Sequence, residues 1–233
     1  MNAPDETTAV QAACEKLRAE YERSGPLSVS QRRVALRALA LAINTHRVAL
    51  TQTISEDFRG RSAAETLAAE LFCVHRAAKL ARRHVKEWAQ PEPVELSVLF
   101  RPGRGRVEYQ PLGVIGIISP WNYPVLLALS PMIGALAAGN RVLLKPSELT
   151  PKTSALLSKI IPAALGSDVV AVVTGGPEVG AAVARLPLDH LQFTGSAAVG
   201  RQVMAAAAER LVPVTLELGG KSPVLLHERY PLA

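Results

Sequence analysis

Apolar side chains recur at helical spacing in the first part of the chain. Val10, Ala13, Leu17 and Tyr21 are separated by steps of three and four residues, which predicts a helix over about residues 5–23. Gly25 and Pro26 follow this pattern directly, and both residues commonly end helices. The chain therefore begins with an amphipathic helix.

Two further helices are predicted before residue 90. A capping box at Ser28 and Gln31 begins a helix that runs to about Phe58. Ser62 and Glu65 have the same spacing and begin a third helix, whose apolar residues form one stripe. The members of that stripe are Leu67, Leu71, Val74, Ala78, Ala81, Val85 and Trp88.

From residue 94 onward the pattern predicts strands. Val94–Phe100 and Arg106–Tyr109 flank a Pro-Gly-Arg-Gly turn, which indicates a hairpin. Short β-branched runs then alternate with helical stretches near 125–138, 152–164, 178–185 and 198–210, which indicates a parallel sheet covered by helices on both faces. The runs are Val114–Ile118, Arg141–Lys145, Val169–Val173, His190–Phe193 and Val214–Leu218.

Composition narrows the class of protein. Apolar residues make up 48% of the 233 positions and charged residues 20%, which excludes a disordered or collagen-like chain. The two cysteines, Cys14 and Cys73, have no metal-site or disulfide-framework spacing, so we expect no metal site and a reducing, cytoplasmic compartment. The first thirty residues are charged and hold no apolar run, so we expect no signal peptide. Three prolines interrupt the uncharged stretch 109–140, so we expect no transmembrane segment.

The formal net charge of +6 raises the question of a nucleic-acid partner. Five basic residues cluster on one face of the third predicted helix: Arg76, Lys79, Arg82, Arg83 and Lys86. Interleaved aromatic side chains, which nucleic-acid surfaces usually carry, are missing from this cluster, and Trp88 lies just beyond it. A solvated helix face is the favoured interpretation, and we expect no nucleic-acid partner.

Unusual residues follow the predicted strands, where parallel sheets bind their ligands. The run Gly219-Gly220-Lys221-Ser222 resembles a phosphate-binding loop, but Thr215 occupies the position of its first glycine. In addition, a helix should follow such a loop, whereas Pro223 comes directly after Ser222 and disfavours one. A nucleoside-triphosphatase is therefore excluded. Gly195–Gly200 lies between a predicted strand and a predicted helix, which by itself is weak evidence for a dinucleotide site.

In their order along the chain, four segments resemble the aldehyde dehydrogenase superfamily. These segments are Pro120–Pro124, Lys145–Glu148, Phe193–Gly200 and Glu217–Pro223. The N-terminal helices and residues 101–107 are similar to the branch that contains the class 3 and coniferyl aldehyde enzymes. The resemblance implies an α/β fold: a Rossmann-like parallel sheet with helices on both faces, preceded by N-terminal helices and a β-hairpin, with a truncated catalytic domain.

That resemblance also implies a division of the chain and an activity. The expected parts are an N-terminal helical segment (1–92), a hairpin used for oligomerisation (93–110), an NAD(P)-binding domain (111–218) and the start of a catalytic domain (219–233). The implied reaction is the NAD(P)-dependent oxidation of an aldehyde to a carboxylic acid through a cysteine thioester. Asn122 matches the family's oxyanion donor and Glu217 its general base. A homodimer is expected for a full-length relative.

The same resemblance implies cofactor contacts. Lys145 and Glu148 match residues that grip the adenosine ribose hydroxyls, Gly195 and Ser196 the pyrophosphate turn, and Leu218 a backbone contact to the nicotinamide amide. Gly200 allows a helix to pack closely on a strand. The remaining cofactor-site candidates are Ile118, Ser119, Trp121 and Ser147. NAD is expected rather than NADP, which stays an alternative, because Glu148 would repel a 2′-phosphate.

The sequence departs from the family at the nucleophile, a cysteine that follows the Glu-Leu-Gly-Gly-Lys-Ser-Pro segment. The sixteen residues after Glu217 contain no cysteine, and Cys14 and Cys73 are expected to be buried helix residues without a catalytic role. Two hypotheses follow: an N-terminal part of an aldehyde dehydrogenase whose nucleophile lies beyond residue 233, or a short protein that binds a dinucleotide or a partner subunit without catalysis. The first is favoured, because a truncated sheet would expose an apolar face and an unpaired edge.

Overall fold

A computed structural model describes residues 6–220, 222–227 and 230. The first helix, α1, spans Glu6–Ser24, as expected. At Ser28 the predicted capping box is present: the Gln31 amide donates to Ser28 Oγ at 3.3 Å, and the Ser28 amide donates to Gln31 Oε1 at 2.8 Å. The prediction of a single helix from Ser28 to Phe58 is wrong. A bend at His46 (φ −96°, ψ 14°) divides it into α2 (Val29–Thr45) and α3 (Arg47–Asp57), and α3 packs on a later helix, α7 (Pro151–Leu165).

The third predicted helix is continuous but irregular. It comprises α4 (Ala63–Glu65), a π-helical turn (Thr66–Leu71) and α5 (Phe72–Trp88). The expected capping box is wrong, since Ser62 makes no side-chain cap and Glu65 instead lies 3.8 Å from Arg61. Two members of the apolar stripe are exposed: Leu67 in the π turn and Trp88 at the end of α5. The other five members of the stripe are buried, and so is Glu70.

The hairpin forms, but with shorter strands than expected. β1 (Glu92–Val94) pairs antiparallel with β2 (Gly105–Val107), and Pro93 lies opposite Arg106. The expected strand over Val94–Phe100 is wrong. The Phe100 amide donates to the Ser97 carbonyl, which closes a 3₁₀ turn over Val98–Phe100 and returns the chain toward β2.

Among the described residues, five parallel strands form the central sheet in the order β5-β4-β3-β6-β7. The structure therefore confirms the predicted α/β class with a parallel sheet. The strands are β3 (Val114–Ile118), β4 (Arg141–Lys145), β5 (Val170–Val172), β6 (His190–Gly195) and β7 (Val214–Leu218). The helices between them are α6 (Leu126–Ala138), α7 (Pro151–Leu165), α8 (Pro177–Ala184) and α9 (Ala197–Ala208).

Alternate strand residues contribute to two apolar cores, one on each face of the sheet. Ile115 and Ile117 belong to the core shared with α2, α3, α5, α6 and α7, whereas Val114 and Ile118 belong to the core shared with α1, α8 and α9. Of the N-terminal helices, α1 packs on the strands themselves, whereas α2, α3 and α5 pack on α6 and α7, which cover the other face of the sheet. Within the described part of the chain, no helix is both long enough and apolar enough to span a bilayer.

Candidate functional site

A cleft of about 1120 Å³ lies at the carboxyl edge of the sheet. It opens where β3 and β6 are neighbours: the chain runs outward from β3 through β4 to β5 and then crosses back to β6. The loops after these strands diverge at such a switch point, which leaves room for a ligand. The sheet order therefore explains the position of the cleft.

Eleven of the twelve predicted site residues line this one cleft: Ile118, Ser119, Trp121, Asn122, Lys145, Ser147, Glu148, Gly195, Ser196, Glu217 and Leu218. The twelfth, Gly200, lies directly behind the wall. A Cβ atom at Gly200 would come within 2.8 Å of Leu218 Cδ2, so the missing side chain allows α9 to approach β7 closely. Four segments that are distant in sequence thus meet at one site.

The loop after β3 forms the floor of the cleft and part of its wall. The Ser119 amide donates to the Lys145 carbonyl at 3.1 Å, which ties the ends of β3 and β4 together. Ser119 is buried, and its Oγ has no hydrogen-bond partner among the described residues. Trp121 and Asn122 lie further along the loop and are exposed. The loop therefore presents an indole and an amide to the cleft, and it also carries a buried hydroxyl without a hydrogen-bond partner among the described residues.

Lys145 and Glu148 form an ion pair in the cleft wall. The Lys145 side chain is buried, whereas that of Glu148 is 36% exposed. Burial would raise the pKa of Glu148, but hydrogen bonds from Lys145 and from its own backbone amide outweigh burial, so the pKa lies below its usual value. Glu148 is consequently ionised at neutral pH, and the pair offers a donor and an acceptor side by side.

The start of α9 provides a second polar feature. Ser196 is the N-cap, and its Oγ accepts a hydrogen bond from the Val199 amide at 3.3 Å. Earlier amides in the first turn of a helix have no acceptor within the helix, and the helix dipole favours an anion there. Gly195 precedes this turn and lines the cleft without a side chain. A phosphate group suits this position chemically.

Glu217 comes from the outermost described strand of the sheet. It lies opposite Thr194 in the parallel pairing of β6 with β7, and its side chain is exposed. Asn122, from the loop after β3, lines the same cleft. The structure thus brings the two predicted reaction residues to one cavity from opposite sides of β6.

The helices α8 and α9 supply a wall that sequence reasoning missed. Its lining residues are Pro177, Gly180, Ala181, Ala184, Arg185, Val199, Gln202, Val203 and Ala206. Most of these residues are small or apolar, so they form an apolar wall with few bulky side chains. The helical spacing of Gly180, Ala181 and Ala184 was visible in the sequence, but small residues at that spacing also occur in ordinary helix packing.

Neither cysteine lines the cleft. Cys14 is buried in α1 against the sheet, and burial raises the pKa of its thiol. Cys73 lies on α5, where the expectation of a buried side chain is wrong: the residue is exposed because it lies outside the buried apolar stripe of this helix. Neither thiol is placed to attack a substrate bound in the cleft.

The residues of the cleft fit a dinucleotide. Such a ligand carries hydroxyls that can pair with Lys145 and Glu148. It also carries phosphates that suit the start of α9, and rings that suit the apolar wall formed by α8 and α9. Sheet order, covering helices and a cleft at the switch point together define a Rossmann-like α/β protein.

The chain belongs to the aldehyde dehydrogenase family, whose family model matches residues 3–232. A relative from Pseudomonas aeruginosa, described as a probable coniferyl aldehyde dehydrogenase, is 44% identical over 227 residues, which cover 97% of this chain and 48% of the relative. The chain thus spans about half the length of the curated relatives it matches.

Solved structures agree with this assignment. The substrate-bound state of Staphylococcus aureus AldH matches with a TM-score of 0.89 and 33% identity, over 98% of this chain and 48% of that one. The NAD+ complex of an aldehyde dehydrogenase from Bacillus cereus matches with a TM-score of 0.83 and 31% identity, over 95% of this chain and 45% of that one. The predicted family and fold are therefore confirmed.

Proposed function

We propose that these residues form the cofactor-binding part of an NAD-dependent aldehyde dehydrogenase, which oxidises an aldehyde to a carboxylic acid. The observation that carries the proposal is the convergence of eleven predicted site residues on one cleft at the switch point of the sheet. The proposed parts are a helical segment (1–92), a hairpin (93–110), the dinucleotide-binding domain (111–218) and the beginning of the catalytic domain (219–233).

The cofactor residues have distinct tasks in this proposal. Lys145 donates to one hydroxyl of the adenosine ribose while Glu148 accepts from the other. Ser196 and the first turn of α9 hold the pyrophosphate, and the backbone at Leu218 contacts the nicotinamide amide. The remaining cofactor-site residues, Ile118, Ser119, Trp121, Ser147 and Gly195, shape the floor and walls of the cleft.

Two residues act on the substrate. The Asn122 side-chain amide donates to the aldehyde oxygen as negative charge develops on it, and this stabilises the tetrahedral transition state. Glu217 accepts a proton from the water that hydrolyses the acyl group. NAD supplies the hydride acceptor when it is bound. The thiol nucleophile comes from outside these 233 residues, because Cys14 and Cys73 both lie away from the cleft.

NAD rather than NADP is the proposed cofactor because Glu148 is ionised and lines the cleft. A carboxylate accepts well from a free 2′-hydroxyl but repels a 2′-phosphate, by about 1 kcal/mol for unit charges 4 Å apart in water. The NAD+ complex of the Bacillus cereus relative supports this choice. NADP binding stays the alternative outcome of the test.

The name of the Pseudomonas aeruginosa relative supports coniferyl or another aromatic aldehyde as the substrate. A homodimer is proposed on the exposed apolar side chains of the hairpin connection, Val98, Leu99 and Phe100, which an association with a second copy would cover. The two free cysteines suit a reducing, cytoplasmic location.

Calorimetric titration with NAD+ and NADP+ tests the proposal. The chain is expected to bind NAD+ more tightly than NADP+, and Glu148→Gln is expected to reduce the difference by about tenfold. Glu56→Gln is the matched control. Glu56 also pairs with a lysine, since its Oε2 lies 2.8 Å from Lys152 Nζ, but neither residue lines the cleft. If both dinucleotides fail to bind, the proposed function is wrong.

A non-catalytic dinucleotide-binding protein is the second candidate, and one observation favours it: neither cysteine lies in the cleft. The two candidate functions differ in whether a longer chain supplies a cysteine nucleophile. In the first, a longer chain that includes these residues oxidises an aromatic aldehyde, while the 233 residues alone form no NADH. Robust NADH formation by the 233 residues alone would contradict the assignment of the nucleophile.

A further inference from the structure

An arginine–glutamate pair lies behind the loop that carries Trp121 and Asn122, outside the cleft itself. The Arg61 side chain is only 11% exposed and that of Glu70 is fully buried. Arg61 Nη1 donates to Glu70 Oε1 at 3.3 Å. Buried ion pairs of this kind need additional hydrogen-bond partners to offset desolvation, so the other contacts of both side chains indicate their task.

Glu70 fixes the far end of the loop. Its second oxygen, Oε2, accepts hydrogen bonds from the amides of Val125 at 2.7 Å and Leu126 at 3.0 Å, where α6 begins. The carboxylate therefore caps α6 from a neighbouring helix. Glu70 is buried and lies in the π turn over Thr66–Leu71. The pair thus connects an irregular helix to the end of the loop.

Arg61 fixes the middle of the loop. Its Nη2 donates to the Asn122 carbonyl at 2.7 Å, and its guanidinium lies 3.6 Å from the centre of the Phe58 ring and 5.1 Å from that of Tyr123. The Phe58 ring is in turn 6.0 Å from Trp121. Contacts from Phe58, Arg61 and Glu70 therefore reach loop residues 121, 122, 123 and 125.

We propose that Arg61 and Glu70 are positioning residues for Asn122. They hold the Asn122 carbonyl and the start of α6 from behind, which fixes the backbone between them and directs the Asn122 side chain into the cleft. The inference rests on the proposed function for the chemical role of Asn122, but the positioning itself is a property of the protein without ligand. Preorganised donors need such support, since a transition-state hydrogen bond tolerates little displacement.

Arg61→Lys tests the inference with the fold preserved. Lysine keeps a cation beside Glu70 but loses the planar fork that reaches both Glu70 and the Asn122 carbonyl. Arg18→Lys is the matched control: Arg18 also bridges a carboxylate and a carbonyl, those of Asp189 at 2.6 Å and Pro187 at 2.8 Å, but far from the loop. Glu70→Gln is the second variant, because it removes the charge that the α6 amides and Arg61 share.

Amide hydrogen exchange of residues 121–126 is measured in the whole chain without ligand. For Arg61→Lys and Glu70→Gln we expect exchange to become about tenfold faster in this segment, the range for loss of one charged hydrogen bond, with little change in strand β4. The side-chain amide resonance of Asn122 is expected to shift, while those of Asn44 and Asn140 stay in place. Arg18→Lys should leave the loop as in the unmodified chain.

The inference is wrong if Arg61→Lys leaves loop exchange and the Asn122 resonance unchanged. It is also wrong if exchange rises equally throughout the chain, or if Arg18→Lys loosens the loop to the same extent. Titration of the unmodified chain with NAD+ is run in parallel. Failure to bind NAD+ would contradict the proposed function and leave the loop result standing, because loop exchange is measured without ligand.

Discussion

Gly200 offers a way to separate ligand binding from folding. An added Cβ atom at this position would lie 2.8 Å from Leu218 Cδ2 and 3.6 Å from Phe193 Cε1. Carbon atoms in ordinary contact are about 3.5 Å apart, so Leu218 must retreat by about 0.7 Å in Gly200→Ala. Leu218 is 42% exposed and can move. Because it lines the cleft, its displacement changes the cleft wall.

The expected effects on stability partly cancel. Alanine in place of glycine inside α9 favours the helix by about 1 kcal/mol. An added methyl group in a well-packed site lowers stability by about 1–3 kcal/mol. The cost here should lie at the lower end of that range, because Leu218 is partly exposed and can move. We therefore expect the free energy of unfolding to change by about 1 kcal/mol or less. NAD+ affinity is expected to fall about tenfold, which corresponds to about 1.4 kcal/mol.

Urea unfolding and calorimetric NAD+ titration measure the two quantities. Gly134→Ala is the control, because Gly134 lies in α6, away from the cleft, with no atom within 4 Å of the added Cβ. It should stabilise the chain by up to about 1 kcal/mol and leave NAD+ affinity unchanged. Unchanged NAD+ affinity in Gly200→Ala would refute the assignment of Leu218 to the cofactor wall. A decrease of more than about 3 kcal/mol in the free energy of unfolding of Gly200→Ala would show that the Leu218 side chain cannot move aside.

Three further predictions concern core packing, pH and thiols. Gly116→Ala should lower the free energy of unfolding in urea by about 1–3 kcal/mol, because its Cβ would come within 2.5 Å of a buried leucine. Ionised Glu148 stabilises the fold through Lys145, and its pKa is lowered. The unmodified chain should therefore have a higher free energy of unfolding than Glu148→Gln at pH 7, and this difference should shrink below about pH 4. A difference that increases on acidification would contradict the prediction. Iodoacetamide should alkylate Cys73 but not Cys14 in the folded chain, as intact mass would report.

The strands of the sheet were predictable because they are continuous apolar runs bounded by loops. β3, β4 and β7 have the bounds that the sequence indicated. The third N-terminal helix was harder, since its π turn has no sequence signal of its own. Glu70 lies in this turn and is buried, although a charged side chain is usually exposed, so it was missed.

The candidate site was predicted from the resemblance of segments at successive strand ends to one family. Gly195 before the start of α9, Lys145 at the end of β4 and Glu148 just after it belong to these segments and line the same cleft. The wall formed by α8 and α9 was missed because small residues there have no distinctive pattern. Arg61 was missed because its contacts with Glu70 and Asn122 cross 9 and 61 positions of the chain, and only the tertiary structure joins them.

Chemical-shift mapping of the isotopically labelled chain during NAD+ titration shows whether the cleft binds the dinucleotide. We expect saturable shifts at Ser119, Lys145, Gly195 and Leu218, around the switch point of the sheet, and none in the hairpin strands β1 and β2. Shifts that are absent, or that lie outside the cleft, would contradict the claim that this cleft is a dinucleotide site.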